Sequence, residues 1–298
     1  MLSVLSLELA SCQESRTVKV TVTEEDGTPI ENVDTLVTFL GYTGEQTKRV
    51  KGETDAKGVF VAKGRPPLRM GVVLEKKGYY PTKSGRLSRI KDHDVTYVLR
   101  RVRNPIPLYA KKAVLIMPEL DKPFGYDFKI GDWVAPHGNG KNAMCFFQMS
   151  KMVITDNEHT QKLTVTFPNK EDGGRETQID SKLLSSQFAW LYNAPQNGYT
   201  EKIFFLQKRM PQKGLLYVGR HSSYAIRLNS EINKSGNVVT AHYARIDKGL
   251  SLFGILTDKP GFKFTYYYNS TSNDRNLEFD PKRNLFRDLD ATEMVHDP

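Results

Sequence analysis

The sequence predicts an all-β protein, with an antiparallel β-sandwich at the N-terminus and a second, larger β-rich domain behind it. Three observations carry this. Val18, Val20 and Val22 alternate with Lys19, Thr21 and Thr23, the period of a strand with one buried face. Turn signals recur at short intervals, led by Asp26-Gly27 and Thr54-Asp55-Ala56-Lys57-Gly58, where glycine tolerates positive φ and aspartate can bond its own backbone. No helical periodicity dominates, and 22 Gly, 15 Pro and 26% charged residues fit a β-rich chain.

Taken in order, the strands of the first third are Val18 to Val22, Thr35 to Leu40, Val59 to Val61, Met70 to Glu75 and Asp94 to Leu99. Pro29 fixes φ and cannot donate to a ladder, which suits a sheet edge or a strand start. Short strands at regular spacing with turns between them are the pattern of an antiparallel sandwich.

Three stretches form a set: Asp26-Gly27-Thr28-Pro29-Ile30-Glu31-Asn32-Val33, Thr54-Asp55-Ala56-Lys57-Gly58-Val59-Phe60 and Lys77-Gly78-Tyr79-Tyr80-Pro81. Their spacing resembles the carboxypeptidase regulatory-like family, whose fold is like transthyretin, over residues 16–100. The resemblance implies a seven-stranded Ig-like sandwich on a secreted or surface protein. It implies no catalytic residues within that module, which sits beside other domains as a spacer or binding unit.

At 298 residues the chain has room for two compact domains. Asn104-Pro105-Ile106-Pro107 favours an extended connection, so the expected layout is 1–15 as export signal and tether, 16–103 as the sandwich, and 104–298 as the second domain. In that domain strands are expected at Ala113 to Met117, Phe124 to Phe128, Met144 to Met152, Lys162 to Phe167, Ile203 to Leu206, Gly214 to Val218, Tyr224 to Leu228, Val238 to Ile246 and Phe262 to Tyr268. Thr155 to Thr160 and Asn169 to Glu176 read as polar loops, Ser235-Gly236-Asn237 as a hairpin turn, Ser181 to Trp190 as the one short helix, and Ser270 to Pro298 as an irregular tail. Its Gly131-Asp132-Trp133-Val134-Ala135-Pro136 and Asn273-Asp274-Arg275-Asn276-Leu277-Glu278-Phe279-Asp280 stretches resemble those of uncharacterised secreted bacterial proteins, which imply no activity.

Leu9-Ala10-Ser11-Cys12 resembles a bacterial lipobox, in which the cysteine is acylated and becomes the mature N-terminus. Lipidation at Cys12 would hold an exported protein at the cell envelope, periplasmic or outer surface, without spanning the membrane. The alternative is an N-terminal strand with an incidental thiol. Cys145, within Ala143-Met144-Cys145-Phe146-Phe147, reads as a buried inert thiol, with a Cys12–Cys145 disulfide the other option.

Residues 16–103 hold eighteen Lys or Arg against eleven Asp or Glu. Arg65, Arg69, Lys76, Lys77, Lys83, Arg86, Arg89 and Lys91 concentrate that charge. It suits a solvated basic face, with anionic lipid or an acidic glycan as the functional option. Nucleic acid is not expected, because stacking aromatics are sparse in that stretch.

The candidate binding residues are Trp133, Trp190, Tyr192 and Tyr199, aromatics in turn-rich segments beside Pro136, His137, Asn193 and Asn197, where they could stack on sugar rings. Phe262, Phe264, Tyr266 and Tyr268 share one strand face and read as core. Asp92-His93-Asp94 and Asn273 to Asp280 offer metal-type ligands at spacings that fit a turn cluster better than a site, and no metal or cofactor is expected. There is no G-x-S-x-G elbow, H-E-x-x-H helix, Walker loop or dinucleotide fingerprint. The expectation is a non-catalytic binding or scaffolding protein at the bacterial surface, with a surface protein or glycan as partner. The alternatives are a carbohydrate or peptidoglycan binder, and a hydrolase whose carboxylates lie in the second domain.

Overall fold

The computed structural model describes residues 16–40, 47–64, 69–88, 93–219 and 222–298. It is all-β and divides into two compact units: residues up to Val102 together with Asp180–Ala189, and Arg103–Ile179 together with Trp190–Pro298. Arg103 opens the second unit, and the first unit also takes a ten-residue segment, Asp180–Ala189, from the middle of the second region. That segment is not the expected helix. Only Ser181–Leu183 forms a single 3-10 turn, capped by the Asp180 side chain.

Among the described residues the first unit has seven strands in two sheets. They are β1 (Arg16–Thr23), β2 (Asp34–Leu40), β3 (Lys48–Glu53), β4 (Val59–Gly64), β5 (Arg69–Glu75), β6 (Thr82–Ser88) and β7 (His93–Val98). One sheet runs β4-β1-β7 and the other β3-β2-β5-β6. The pairing is antiparallel except between β1 and β7, which run parallel from Val18↔His93 to Thr23↔Val98. Val18, Val20 and Val22 of β1 are buried with Val37, Phe39, Ala62, Met70, Val72 and Leu74 in one core. Each fully buried valine contributes about 1.5–3 kcal/mol relative to exposure.

The three recurring stretches are physically tied to one another. Asp55 Oδ1 accepts the amides of Lys57 and Val59, closing the turn at Gly58. Gly58 has φ +70°, and a Cβ there would lie 2.4 Å from the Val22 carbonyl oxygen, so only glycine fits. Thr54 Oγ1 donates to the Ile30 carbonyl at 2.7 Å and accepts the Val33 amide at 3.0 Å, fastening the first stretch to the second. Tyr79 donates its hydroxyl to Glu24 at 2.7 Å, fastening the third.

The second unit is built from β8 (Tyr109–Ile116), β9 (Pro123–Asp127), β10 (Asp132–Trp133), β11 (Cys145–Thr155), β12 (Glu158–Thr166), β13 (Gly173–Thr177), β14 (Lys202–Met210), β15 (Gly214–Val218), β16 (Ser223–Ile232), β17 (Val238–Phe253) and β18 (Gly261–Asn269). A six-stranded sheet runs β10-β9-β11-β12-β14-β15 and a five-stranded sheet runs β13-β16-β17-β18-β8. Phe147, Met149, Leu163, Val165, Ile203 and Phe205 of the first meet Ile226, Ile246, Phe262, Phe264, Tyr266 and Tyr268 of the second in one core. Two expected loops are strand instead. Thr155 to Thr160 holds only a two-residue turn between β11 and β12, and Gly173-Gly174 opens β13.

The two sheets differ in how they are covered. The five-stranded sheet is covered behind its middle, where Leu108, Phe279 and Val295 pack on Tyr267 and Ala194 and Leu277 pack with Tyr243, while Val114 and Ile116 at its β8 edge stay exposed. The six-stranded sheet has one buried face and one open one.

Candidate functional site

The four aromatic candidates are packed into the second unit. Trp133 is 5% exposed, lies edge-on to Phe124, Tyr126, Phe147 and Phe262, and donates its indole N–H to the Ile116 carbonyl. Trp190 is 3% exposed and donates to Asp247 at 2.8 Å, while the Arg245 guanidinium lies 5.5 Å from its ring. Tyr192 is covered by Arg103 at 3.9 Å. Tyr199 faces Arg227 at 4.6 Å and spends its hydroxyl on the Pro195 carbonyl. Burial pushes the Tyr199 phenol well above its ordinary value. A ring that stacks on sugar needs an open face, and Trp133 and Trp190 have none. Both rings are enclosed in this structure rather than presented on a loop. Their indoles plug the fold because each N–H finds an acceptor inside it.

The oxygen-rich stretch Asn273 to Asp280 organises backbone. Asp274 Oδ1 accepts the Asn276 amide and Asn276 Oδ1 accepts the Glu278 amide. The buried Glu278 carboxylate accepts the amides of Arg103 and Asn104 at 2.8 and 2.7 Å. Buried Asp127 likewise takes the amides of Lys129, Ile130, Lys141 and Asn142, and Asp172 those of Asn229 and Ser230. These carboxylates accept N–H donors that fix loops. Among the described residues no group of three or more His, Cys, Asp or Glu side chains is placed to hold a metal ion. Residues 89–92 lie outside the described residues, and so does Cys12, the lipidation candidate.

Cys145 is a free, buried thiol, and burial raises its pKa well above the ordinary range. Of the basic cluster in the first unit, the side chains of Arg65, Arg69, Arg86, Arg89 and Lys91 lie outside the described residues. Lys76 donates to the Glu31 and Asn32 carbonyls. The first unit also has a cleft of about 590 Å³ beside the Asp26-Gly27 turn, lined by Glu24, Glu25, Asp26, Thr96, Arg100 and Lys182. Its acids are engaged: Glu24 with Arg101 and Tyr79, Glu25 with Arg100, and Asp26 with the Thr28 amide.

What the fold leaves open is the outer face of the six-stranded sheet. Register puts Thr164 directly opposite Phe204, Lys162 opposite Leu206, and Lys208 opposite Leu216. Phe204 is 48% exposed, and Lys162 holds its ammonium 5.6 Å from the ring centroid. Gln148 lies opposite Thr164 on the neighbouring strand, and Thr166 lies opposite Lys202. An exposed ring is thus set among hydroxyl, amide and ammonium groups on an open sheet face. The signal for it was in the sequence. In the apolar run Ile203-Phe204-Phe205-Leu206, strand alternation requires that Phe204 and Leu206 turn away from the core when Ile203 and Phe205 enter it.

No protein-family model matches the chain, and no curated protein matches it. A crystal structure of a candidate carbohydrate binding protein from Bacteroides uniformis ATCC 8492 aligns over 87% of this chain and 98% of its own, at 10% sequence identity and a TM-score of 0.21. At that score the likeness carries no argument. Fold and site define this chain as an all-β protein of two units, and its function rests on its own geometry.

Proposed function

We propose that this is a non-catalytic binding protein of the bacterial cell envelope, exported and held by a lipid on Cys12, and that it takes a glycan chain on the open sheet face around Phe204. The observation that carries the glycan assignment is the exposed Phe204 ring flanked by Thr164 and Lys162. A sugar ring presents an apolar C–H face to an aromatic and equatorial hydroxyls to hydrogen-bonding groups around it, and this face supplies both. An open sheet face suits a chain rather than a buried monosaccharide. Reading the first unit as a carboxypeptidase regulatory-like spacer is supported by the seven strands among its described residues and by the fastening of its first two stretches through Thr54.

Affinity electrophoresis through gels containing peptidoglycan fragments or soluble bacterial polysaccharides tests the site. The wild-type chain is expected to be retarded by at least one of them, and Phe204→Ala to migrate freely while melting normally. Equal retardation of the two proteins would reject the site, and no retardation by any glycan would reject the ligand class. A mature N-terminus at an acylated Cys12 in membrane-fraction mass spectra is expected, and an unmodified Met1 would overturn the anchor.

A further inference from the structure

The tips of two hairpins lie side by side at one end of the second unit. The β11–β12 turn follows Thr155 and the β14–β15 turn follows Met210, and the register His159↔Arg209 puts both at the same end of the six-stranded sheet. The β17–β18 connection joins them there, because Gln161 donates to the Phe253 carbonyl at 3.1 Å and Lys151 to the Thr257 carbonyl at 2.6 Å. This end is unusually apolar for a set of turns. Met152, Ile154, Leu215, Leu216 and Leu256 are 57%, 58%, 46%, 45% and 52% exposed. Cations are interleaved with them. The hairpin from Lys202 to Gly219 carries Lys202, Lys208, Arg209 and Lys213 and no acid, while Asp156, Glu158 and Asp258 are the acids of the other two turns.

We propose that this end docks on an anionic lipid surface. Exposed aliphatic side chains on hairpin tips can enter the boundary between headgroups and acyl chains. Long cationic side chains beside them lay their stems on apolar surface and raise their charged heads to phosphate level. The acid-free β14–β15 hairpin supplies the complement to negative headgroups. The inference is separable from the glycan site, because Phe204, which carries that reading, is not a tip residue, although Lys208 and Leu216 border both surfaces.

Vesicle co-sedimentation of the full chain, carrying Cys12→Ser so that no acyl group contributes, tests it. Binding is expected to vesicles containing phosphatidylglycerol, to be weak on phosphatidylcholine alone, and to fall in high salt. Leu215→Asp with Leu216→Asp should abolish it. Lys208→Gln with Arg209→Gln and Lys213→Gln should weaken it by about a hundredfold, a tenfold loss being 1.4 kcal/mol and each cation worth about 1. Ile232→Asp with Val239→Asp, at the other end of the five-stranded sheet, should leave it intact, and Phe204→Ala should lose glycan but keep vesicles. Absence of wild-type binding to anionic vesicles, or retention by both tip variants, would overturn the proposal. So would self-association that the tip variants abolish in the absence of vesicle binding, which would assign this end to a second copy.

Discussion

Arg245 lies face-on to Tyr267, its guanidinium carbon 3.8 Å from the ring centroid, and the two are register partners across β17 and β18. Both are essentially excluded from solvent. Trp190 covers the same guanidinium from 5.5 Å and is itself fixed by Asp247, two residues along β17. A planar, delocalised cation suits this slot and a point cation does not. Arg245→Lys is therefore expected to lose about 1–2 kcal/mol of stability despite keeping its charge. Urea titration of the two proteins measures it, and equal midpoints would count against the stacked cation.

Glu278 holds the entry to the second unit by accepting two consecutive amides, those of Arg103 and Asn104. Glu278→Ala leaves both donors without that acceptor in a part-buried setting, at a cost of about 1–3 kcal/mol. Glu278→Gln keeps the acyl oxygen and should lose less. Thermal melts of the three proteins order them, and an alanine variant as stable as wild type would contradict the assignment.

The missed strands β3, β6, β10 and β13 are all sheet edges, and they lack the apolar run that made the edges β4, β7, β8 and β15 legible. An edge strand borrows its order from a neighbour's backbone and needs little alternation of its own, which is why Lys48-Arg49-Val50-Lys51-Gly52-Glu53 looks like a charged loop. Val18, Val20 and Val22 are central in their sheet, and their alternation was plain. The same limit governed the site. Trp133 and Trp190 sit in turn-rich sequence, yet whether a turn is solvated depends on distant segments, here the core aromatics and β17, that local pattern does not register. Phe204 was overlooked because four consecutive apolar residues read as core until the strand's two faces are separated.

His242 predicts a pH dependence. Its Nδ1 lies 3.3 Å from the Asn229 amide nitrogen and 3.2 Å from the Tyr268 hydroxyl, and burial, with Lys129 adding to it, lowers its pKa below the ordinary 6.5. The folded state therefore holds this proton less readily than the unfolded chain. The stabilisation is full above pH 6.5 and is lost as pH falls through that value towards the folded pKa. Melting temperatures from pH 8 downward should show this decline in wild type and a smaller one in His242→Asn. Parallel curves for the two would show that the ring contributes nothing.

Cys145 should resist alkylation in the folded protein, since its thiol is buried and its pKa raised. In a Cys12→Ser background, iodoacetamide labelling followed by mass spectrometry is expected to be negligible until denaturant is added. Rapid labelling of the native chain would place the side chain at the surface.

The most direct measurement of the binding claim is hydrogen–deuterium exchange of the full chain with and without the glycan fraction that retards it. The open-face account predicts slowed exchange across Glu158–Thr166 and Lys202–Met210, the strands that carry Lys162, Thr164 and Phe204. Protection confined to the peptides around Trp133 or around Trp190 to Tyr199, with those two strands unchanged, would contradict it.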